Sequence, residues 1–354
     1  MHYIYNRNIV VKNRLSHIIS LLRVFTFGKV RNMAKVYISF YISKYRKKPI
    51  QWGKPFSVSI EPTTSCNLRC PECPSGLRSF TRPTGMLAAD TFERIIEEIK
   101  NHLLYLTFYF QGEPYLHKSF LEMVRIAKKN NIYTSTSTNG HYLSDSMAKE
   151  TVMSGLDRLI ISIDGTTQET YKAYRVGGFL DKVLEGTTNV VKWKRQLGVS
   201  HPYVIFQFLV VRPNEHQISE VHDLARQLGV DSVILKTAQI YDYEHGNDLM
   251  PTIDKYSRYK RVASGKYVLK NSLKNSCWKL WHSCVFTWDG KVVPCCFDKD
   301  ASHVLGDIRQ QSFAEIWHSA AYQDFRAQLV KSRKNIDICQ NCSEGCTVNF
   351  NYEL

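Results

Sequence analysis

Residues 56–74 read Phe-Ser-Val-Ser-Ile-Glu-Pro-Thr-Thr-Ser-Cys-Asn-Leu-Arg-Cys-Pro-Glu-Cys-Pro. The first five residues have the apolar, β-branched character of a buried strand, and Cys66, Cys70 and Cys73 follow on a short loop. Three thiolates hold three corners of a four-iron cluster and leave the fourth iron open to another ligand. Because α/β barrels carry their chemistry on the loops that follow their strands, this stretch predicts a barrel-type fold with an open cluster.

A structural zinc ion is the alternative interpretation of this loop. Zinc sites close with four Cys or His ligands, usually arranged as paired C-x2-C motifs. The loop offers three cysteines and no histidine, so zinc would need a fourth ligand from a distant part of the chain. The spacing therefore favours the iron–sulfur cluster.

The other seven cysteines all lie in the last quarter of the chain. They are Cys277, Cys284, Cys295, Cys296, Cys339, Cys342 and Cys346. Cysteines gathered at two places in a long chain indicate metal or cluster binding rather than a disulfide framework. We therefore expect a reducing, cytoplasmic location.

The charge of the chain is concentrated at its start. The 354 residues carry a formal net charge of +15, and residues 1–50 hold eleven Lys and Arg with no Asp or Glu. Apolar residues recur at helical spacing from Val30 to Tyr41, so we predict a basic helical arm over residues 1–50. The favoured interpretation is a helix laid across the body of the protein with its charges in water. The alternative is an amphipathic segment in peripheral contact with an anionic membrane or an acidic partner.

The composition argues against several other classes of protein. With 44% hydrophobic and 22% charged residues, the chain is typical of globular rather than disordered proteins. The apolar stretch 18–27 is short, is interrupted by Arg23 and lacks a cleavage site, so it predicts neither a membrane span nor a secretory signal. No nucleic-acid partner is expected, because no recognised binding motif accompanies the basic charge.

Residues 51–240 alternate between strand and helix patterns and form the predicted core domain. Strands are predicted at 56–60, 104–110, 132–137, 158–163, 203–211 and 232–236. Amphipathic helices separate them, and the first is expected to begin with a capping box of Asp90 and Glu93. Such alternation predicts a parallel sheet flanked by helices. Six units are too few for a closed eight-stranded barrel, so the expected α/β fold is a partial (β/α)6 TIM-like barrel rather than a doubly wound sheet.

The rest of the chain divides into a linker and a small cysteine-rich domain. Residues 241–276 have weak periodicity and predict a linker with one helix at 251–263. Residues 277–354 contain a hairpin turn at Asp289-Gly290 and, after it, a helix with a capping box that begins at Ser312. We therefore expect a C-terminal domain built from a β-hairpin and helices.

Polar motifs follow the predicted strands, and their order supports a specific resemblance. The cysteine loop resembles the signature of the radical S-adenosylmethionine (SAM) enzymes. After the second strand, the segment Gln111, Gly112, Glu113 and Pro114 is similar to the Gly-Gly-Glu motif of that family, whose backbone groups take the SAM amino group. Asn139, Ser162 and Arg175 fall where similar enzymes contact SAM. The resemblance implies a SAM-binding [4Fe–4S] cluster on the cysteine loop, with SAM held by these residues.

Two residues depart from the pattern of that family. The residue before the third cysteine is often aromatic in similar enzymes, where it approaches adenine, and here it is Glu72. The first glycine of the Gly-Gly-Glu motif is replaced by Gln111. No adenine pocket is therefore assigned.

The C-terminal segment resembles the SPASM/twitch extensions, which bind auxiliary iron–sulfur clusters. The resemblance implies an auxiliary [4Fe–4S] cluster with four ligands: Cys277, Cys295, Cys339 and Cys342. Cys284, Cys296 and Cys346 are left over, and a second closed cluster would need four ligands, so one auxiliary cluster is expected. A four-cysteine zinc ribbon is the alternative at this position.

The resemblance implies a radical enzyme. Reductive cleavage of SAM would give a 5′-deoxyadenosyl radical, which abstracts hydrogen from a peptide, protein or carbohydrate-like substrate. An external donor such as flavodoxin or ferredoxin would supply the electron, and no catalytic acid or base is assigned. The competing hypothesis is a non-catalytic iron–sulfur or zinc-binding protein tethered by its basic N-terminal arm.

Overall fold

The computed structural model describes residues 7–271 and 273–342 of the chain. Six parallel strands form the centre of its main sheet: β1 (Ser57–Ile60), β2 (Tyr105–Phe108), β3 (Tyr133–Thr138), β4 (Arg158–Ser162), β5 (Tyr203–Val210) and β6 (Ser232–Thr237). These strands lie side by side in chain order. A doubly wound sheet reverses its order at a switch point, so the observed order confirms the predicted barrel-type architecture.

Helices precede and connect these strands. Two helices come before the sheet: α1 (Arg7–Arg23) and α2 (Phe27–Arg46). Seven lie between the strands: α3 (Pro74–Leu77), α4 (Ala89–Ile99), α5 (Phe120–Lys129), α6 (Asp145–Met153), α7 (Gln168–Tyr174), α8 (Leu180–Gln196) and α9 (Ile218–Leu228). Short 3-10 helices occur at Pro114–Leu116, Glu215–Gln217, Asp254–Tyr256 and Arg333–Asn335.

The start of α4 differs from the prediction. Ala88 occupies the N-cap position and makes no side-chain cap hydrogen bond, so the capping box of Asp90 and Glu93 is wrong. The helix buries Phe92 and Ile96 in the core. Asp90 lies within the first turn, where its carboxylate still faces the positive end of the helix dipole.

The segment between the barrel strands and the C-terminal domain is a small hairpin. The predicted helix at 251–263 is wrong, because β7 (Tyr259–Arg261) pairs antiparallel with β8 (Tyr267–Leu269). The Tyr259 hydroxyl accepts a hydrogen bond from the Ile240 amide, at 2.9 Å, which pins the hairpin to the chain after β6. Tertiary contact therefore overrides a weak helical pattern.

The C-terminal elements extend the main sheet. They are α10 (Lys279–His282), β9 (Ser283–Phe286), β10 (Lys291–Val293), β11 (Gly306–Asp307), α11 (Phe313–His318), α12 (Ala320–Ser332) and α13 (Asp337–Gln340). β9 runs parallel to β1, with Phe286 opposite Ile60, and β10 and β11 continue outward. The predicted hairpin and the capping box at Ser312 are both confirmed. The edge of β1 is thereby covered, which satisfies backbone groups that would otherwise be unpaired.

The N-terminal arm consists of two helices that pack against the body. In α1, His17 stacks on Tyr203 and its Nδ1 lies 2.8 Å from the Tyr133 hydroxyl. In α2, Phe40 packs against the rings of Trp278 and Trp281. Tyr133 and Tyr203 begin β3 and β5, so the arm covers the end of the sheet opposite the cysteine loop. No helix of the described residues is long and apolar enough to cross a membrane.

Candidate active site

The cysteine loop connects β1 to α3 and crosses the carboxyl end of the sheet. Cys70 is buried, and Cys66 and Cys73 are half-buried. A Cβ atom at Gly76 would lie 2.5 Å from the backbone N and O of Cys70, so only glycine allows α3 to pack this closely on the loop. The local fold therefore holds the three thiols together on one short segment.

The surroundings of these thiols suit a bound cluster. Burial raises the pKa of the Cys66 thiol to about 11 and also raises the pKa of Cys70. The Leu68 amide donates to Cys66 Sγ at 3.5 Å, and the Arg175 guanidinium donates to Cys70 Sγ at 3.7 Å. Buried thiols with donors aimed at their sulfur atoms favour the thiolate once metal replaces the proton. The three cysteines and their donors fit a [4Fe–4S] cluster.

The loop after β2 packs directly against the cysteine loop. Gly112 has a positive φ of 73°, and a Cβ there would collide with the carbonyl oxygen of Thr63. The Gly112 amide donates to Ser75 Oγ at 2.9 Å, and the Glu113 amide donates to the Ser65 carbonyl at 2.7 Å. Glycine is required at position 112 because both the backbone conformation and the close approach exclude a side chain.

The carboxylate of Glu113 joins the loops that follow β2 and β3. It accepts hydrogen bonds from Thr138 Oγ1 and from the Asn139 amide, each at 2.8 Å. Burial raises the pKa of Glu113 to about 7, while these hydrogen bonds oppose the rise. The Glu113 side chain therefore links the loop after β2 to the loop after β3.

Arg175 is positioned by a buried ion pair. Its Nε donates to Asp164 Oδ2 at 2.5 Å, and Asp164 Oδ1 accepts from the Leu209 amide at 2.7 Å. The carboxylate raises the pKa of Arg175 and so keeps the guanidinium charged. One edge of the guanidinium is thus held by Asp164, and NH1 remains directed at Cys70.

A cleft of about 210 Å³ opens over the three thiols. It is lined by Cys66, Cys70, Cys73 and six of the seven residues that the sequence predicted for SAM: Gln111, Gly112, Glu113, Asn139, Ser162 and Arg175. Pro114 instead begins the 3-10 helix Pro114–Leu116 behind the cleft. The structure therefore brings together predicted residues from four different strand-end loops.

Sequence reasoning missed several polar residues of this cleft, among them Gln207 and Lys299. Gln207 interrupts the apolar β5 strand, and that interruption is a signal that the sequence offered. Lys299 comes from the C-terminal domain, and nothing in its local sequence indicates that it reaches the barrel. Lys299 Nζ lies 2.9 Å from the Tyr241 hydroxyl, and burial lowers the pKa of Lys299.

Glu72 has a role that differs from that of an adenine-facing aromatic residue. Its carboxylate accepts a hydrogen bond from the Tyr241 amide at 2.9 Å. Burial raises the pKa of Glu72, and the nearby Lys299 charge lowers it. Glu72 therefore ties the cysteine loop to the chain that follows β6.

The predicted auxiliary cysteines also lie together. Burial raises the pKa of Cys295, and the nearby thiols of Cys296, Cys277 and Cys342 raise it further. The Arg333 guanidinium donates to Cys342 Sγ at 3.2 Å and is also hydrogen-bonded to Cys339. These four thiols and the buried cation fit an auxiliary cluster, because a cluster held by thiolates is anionic and accepts such donors.

The leftover cysteines occupy different surroundings. Cys284 is buried in β9 beside Arg326, and Cys296 lies near Lys279, with 3.8 Å between Sγ and Nζ. Cys346 lies outside the described residues. Within the described ranges, no three Cys, His, Asp or Glu side chains converge as a single metal ion requires.

Two family models match this chain. Residues 60–228 match the radical SAM superfamily, and residues 277–343 match SPASM, an iron–sulfur cluster-binding domain. The two matches leave out residues 1–59, 229–276 and 344–354.

Curated relatives and solved structures agree with these matches. The chain is 28% identical to the tungsten-containing aldehyde ferredoxin oxidoreductase cofactor-modifying protein of Pyrococcus furiosus, across 80% of this chain and 86% of that protein. It is also 28% identical to the PqqA peptide cyclase of Rhodopseudomonas palustris, across 78% and 77% of the two chains. Streptococcus suis SuiB bound to S-adenosylmethionine superposes with a TM-score of 0.62 at 14% identity, across 96% of this chain and 83% of SuiB. At that identity the structural likeness shows the fold alone.

Proposed function

We propose that the substrate of this protein is a peptide or protein. The chain belongs to the radical SAM superfamily and carries a SPASM domain, so it is an enzyme that uses SAM, a [4Fe–4S] cluster and auxiliary iron–sulfur chemistry. When bound, the cluster and SAM supply the 5′-deoxyadenosyl radical that abstracts a hydrogen atom. We also propose which molecule loses that hydrogen atom and which residues of the chain bind that molecule.

The cleft over the thiols carries this proposal, because both domains contribute to its lining. Barrel loops supply Gly112 and Arg175, and the C-terminal domain supplies Lys299. A substrate in this cleft therefore touches the SAM side and the auxiliary side together. The R. palustris relative, which matches over more than three-quarters of both chains, is named for the cyclisation of a peptide. That relationship favours a peptide over other substrates.

The residues of the cleft have distinct proposed roles. The backbone at Gly112 and Glu113 receives the SAM amino group, while Asn139, Ser162 and Arg175 hold its remaining polar groups. Lys299 binds an anionic group of the peptide, such as a carboxylate, since a partly buried ammonium gains most from a charged partner. Leu68, Tyr174 and Leu209 line the same cleft and reduce the access of water to the reacting atoms. A flavodoxin or ferredoxin is the proposed external electron donor.

A carbohydrate-like substrate is the second candidate. Ser137, Thr138 and Gln207 also line the cleft and offer neutral hydrogen-bonding groups of the kind that bind hydroxyls. The second experiment below distinguishes a peptide substrate from a carbohydrate-like one.

The first experiment tests SAM cleavage. The anaerobically reconstituted protein is reduced with dithionite in the presence of SAM, and 5′-deoxyadenosine is measured by mass spectrometry. The Cys66→Ala variant removes one predicted cluster ligand, and Cys284→Ala is the matched control, since Cys284 is a buried cysteine that belongs to neither predicted ligand set. The native chain and the control should form deoxyadenosine, and the Cys66 variant should not. Equal product from all three chains would contradict the assignment of the cysteine loop.

The second experiment identifies the substrate class. The enzyme is incubated with extract from cells grown in deuterated medium, and deuterium transfer to 5′-deoxyadenosine is measured. A protease-treated extract that no longer transfers deuterium would support a peptide or protein. Transfer that survives protease and is lost after glycosidase treatment would overturn the peptide proposal in favour of a carbohydrate.

A further inference from the structure

The N-terminal arm presents an apolar surface that no described part of the chain covers. We call it the outer arm face, and its exposed residues are Leu15, Ile19, Leu22, Phe27, Val30, Ile38 and Tyr45. Phe27 is 84% exposed, Tyr45 is 75% exposed and Leu22 is 61% exposed. Large apolar side chains scattered singly on a surface need no explanation, but a continuous series of them indicates a binding surface.

The spacing of these residues places them along one side of each helix. Leu15, Ile19 and Leu22 are separated by four and three residues, so they lie on the same face of α1. The other face of α1 carries His17 against Tyr203. α2 has the same arrangement, because its buried residues Val36 and Phe40 face the body. Packing against the barrel and the C-terminal domain therefore accounts for one apolar face of the arm and leaves the outer arm face unused.

The cations of the arm flank this surface. Residues 1–50 contain eleven Lys and Arg and no acidic residue, so every fixed side-chain charge on the arm is positive. Four exposed cations follow closely at its end: Lys44, Arg46, Lys47 and Lys48. This charge would make two copies of the outer arm face repel each other, and like charges across an interface are unfavourable. The surface is therefore suited to an anionic partner rather than to a second copy of the chain.

An aromatic groove lies at the same end of the arm. It is lined by Tyr37, Ile38, Tyr41, Ile42, Tyr45, Arg46, Ile50 and Trp52, and its volume is about 500 Å³. Tyrosine and tryptophan are enriched where proteins meet the headgroup region of a bilayer, because their rings are apolar at one end and polar at the other. Arg46 at the edge of this groove adds a group that binds phosphate.

We propose that the arm is a peripheral membrane-binding device whose outer arm face lies on an anionic phospholipid bilayer. The apolar residues enter the boundary between headgroups and acyl chains, and the surrounding Lys and Arg contact lipid phosphates. Neither helix crosses the membrane, in keeping with their length and polarity among the described residues. An apolar series on an arm whose charges are all positive, with exposed cations, tyrosine and tryptophan at one end, suits such a bilayer better than an acidic protein surface.

The fold determines how the bound protein would be oriented. The arm contacts Tyr133 and Tyr203 at the starts of β3 and β5, whereas the thiol cleft lies where the strands end. The sheet therefore separates the outer arm face from the cleft. A membrane-bound chain keeps its cleft open toward the solution, so substitutions on the outer arm face leave the SAM site untouched.

Vesicle flotation of the full-length protein tests the proposal. The probes are phosphatidylglycerol–phosphatidylcholine vesicles and pure phosphatidylcholine vesicles, each at low and high salt. The apolar arm variant combines Leu22→Ser, Phe27→Ser and Tyr45→Ser. Its matched control combines exposed apolar sites elsewhere: Met153→Ser, Ile253→Ser and Val304→Ser.

The cationic arm variant replaces Lys44, Arg46, Lys47 and Lys48 with Gln. Its matched control replaces the exposed Lys255, Lys260, Arg261 and Lys266 with Gln.

The proposal predicts a definite pattern of results. The native chain and both controls should float with phosphatidylglycerol vesicles, and should bind phosphatidylcholine alone much more weakly. Each arm variant should partition roughly tenfold more weakly or worse, since each cation and each buried apolar group adds to the affinity. Native-like circular dichroism and SAM cleavage would show that the variants are folded.

Three results would overturn the proposal. The first is a native chain that does not float with anionic vesicles. The second is an apolar arm variant that floats like the native chain, which would leave only non-specific charge attraction. The third is a native dimer in light scattering that the apolar arm variant dissociates, without vesicle binding by either chain.

Discussion

Lys299 of the C-terminal domain donates a hydrogen bond to the hydroxyl of Tyr241, with 2.9 Å between the two atoms. The Tyr241 amide in turn donates to the carboxylate of Glu72 on the cysteine loop, also at 2.9 Å. Three segments that are far apart in the sequence thus meet at one edge of the cleft. Through Lys299, the C-terminal domain therefore forms part of the cleft, in addition to carrying the predicted auxiliary cluster.

Replacing Lys299 with Met should separate substrate binding from SAM cleavage. The Lys299 side chain lines the cleft and hydrogen-bonds to Tyr241, and among the described residues it donates to none of the three thiols. We therefore expect dithionite-driven formation of 5′-deoxyadenosine without substrate to stay within about twofold of the native rate. Deuterium transfer from the substrate fraction should fall by about tenfold or more, as expected for loss of a charged hydrogen bond. Lys260→Met, at an exposed site, is the control. Equal losses in both assays would contradict a role on the substrate side.

Gly112→Ala should be far more damaging than Gly198→Ala. Both glycines have a positive φ, of 73° and 66°, so each alanine costs about 1–2 kcal/mol of backbone strain. Only at Gly112 would the new Cβ collide, with the Thr63 carbonyl, whereas nothing lies within 4 Å of a Cβ at Gly198. We expect Gly112→Ala alone to lose deoxyadenosine formation, by about tenfold or more. Chemical denaturation of both variants measures the shared strain, and similar activity in the two would refute the collision argument.

The packing of the arm should weaken in acid because of His17. Burial, with a smaller effect from Arg158, lowers the pKa of His17 from 6.5 to about 4. Between these values the unfolded chain binds a proton that the folded chain excludes, so stability is lost as the pH falls from about 6.5 toward 4. The loss reaches about 2 kcal/mol at pH 5. Hydrogen exchange of α1 at pH 7 and pH 5 measures this effect.

His17→Phe is the matched variant for that measurement. It keeps a ring against Tyr203 but cannot titrate, so its α1 protection should change less with pH than that of the native chain. The variant also loses the hydrogen bond to Tyr133, which lowers its protection by a similar amount at both pH values. An identical pH dependence in the two chains would rule out His17 as the cause.

Cys284 and Cys277 should differ sharply in their effect on iron content. Burial raises the pKa of Cys284, which lies in β9 near Arg326, while Cys277 lies with Cys295. Cys277→Ala should therefore lower the iron content of the reconstituted protein by up to about four atoms per chain. Cys284→Ala should leave it unchanged. Iron analysis of the two variants decides the matter, and loss of iron from the Cys284 variant would show that the ligand set is different.

Arg333 should raise the reduction potential of the auxiliary cluster. Its guanidinium donates to Cys342 Sγ at 3.2 Å, and a cationic donor stabilises the more negative, reduced form of a cluster. Arg333→Met should shift the potential to more negative values, by an amount on the order of tens of millivolts, in a redox titration followed by electron paramagnetic resonance. Arg326→Met is the control, because Arg326 is equally buried but bonds to the Trp317 carbonyl. A shift of the same size in both variants would contradict the assignment.

Local sequence patterns predicted the parts of this protein that depend on neighbours in the chain. The spacing of Cys66, Cys70 and Cys73 indicated the cluster, and strand–helix alternation predicted six units in the right order. The capping box at Ser312 was correct because both of its partners lie within one helical turn. At α4 the same type of argument failed, because the helix begins at Ala89 and places Asp90 inside its first turn rather than at the N-cap.

Contacts between residues far apart in the chain could not be predicted from local sequence patterns. No local pattern showed that β9 would pair with β1, that residues 259–269 would form a hairpin, or that Lys299 would reach the cleft. These outcomes depend on which backbone edges remain unpaired and which surfaces meet after the strands assemble.

The amino-acid sequence by itself determined the cofactor chemistry, because thiol spacing and the motifs after each strand are properties of short segments. Only the tertiary structure decided how the cleft is closed and which face of the arm is left exposed. Closure requires Glu72, Tyr241 and Lys299 to meet, and exposure depends on the opposite face of each arm helix being buried against the body of the protein. The physical reason is that burial and long-range hydrogen bonding are determined by the packed whole and not by any one segment.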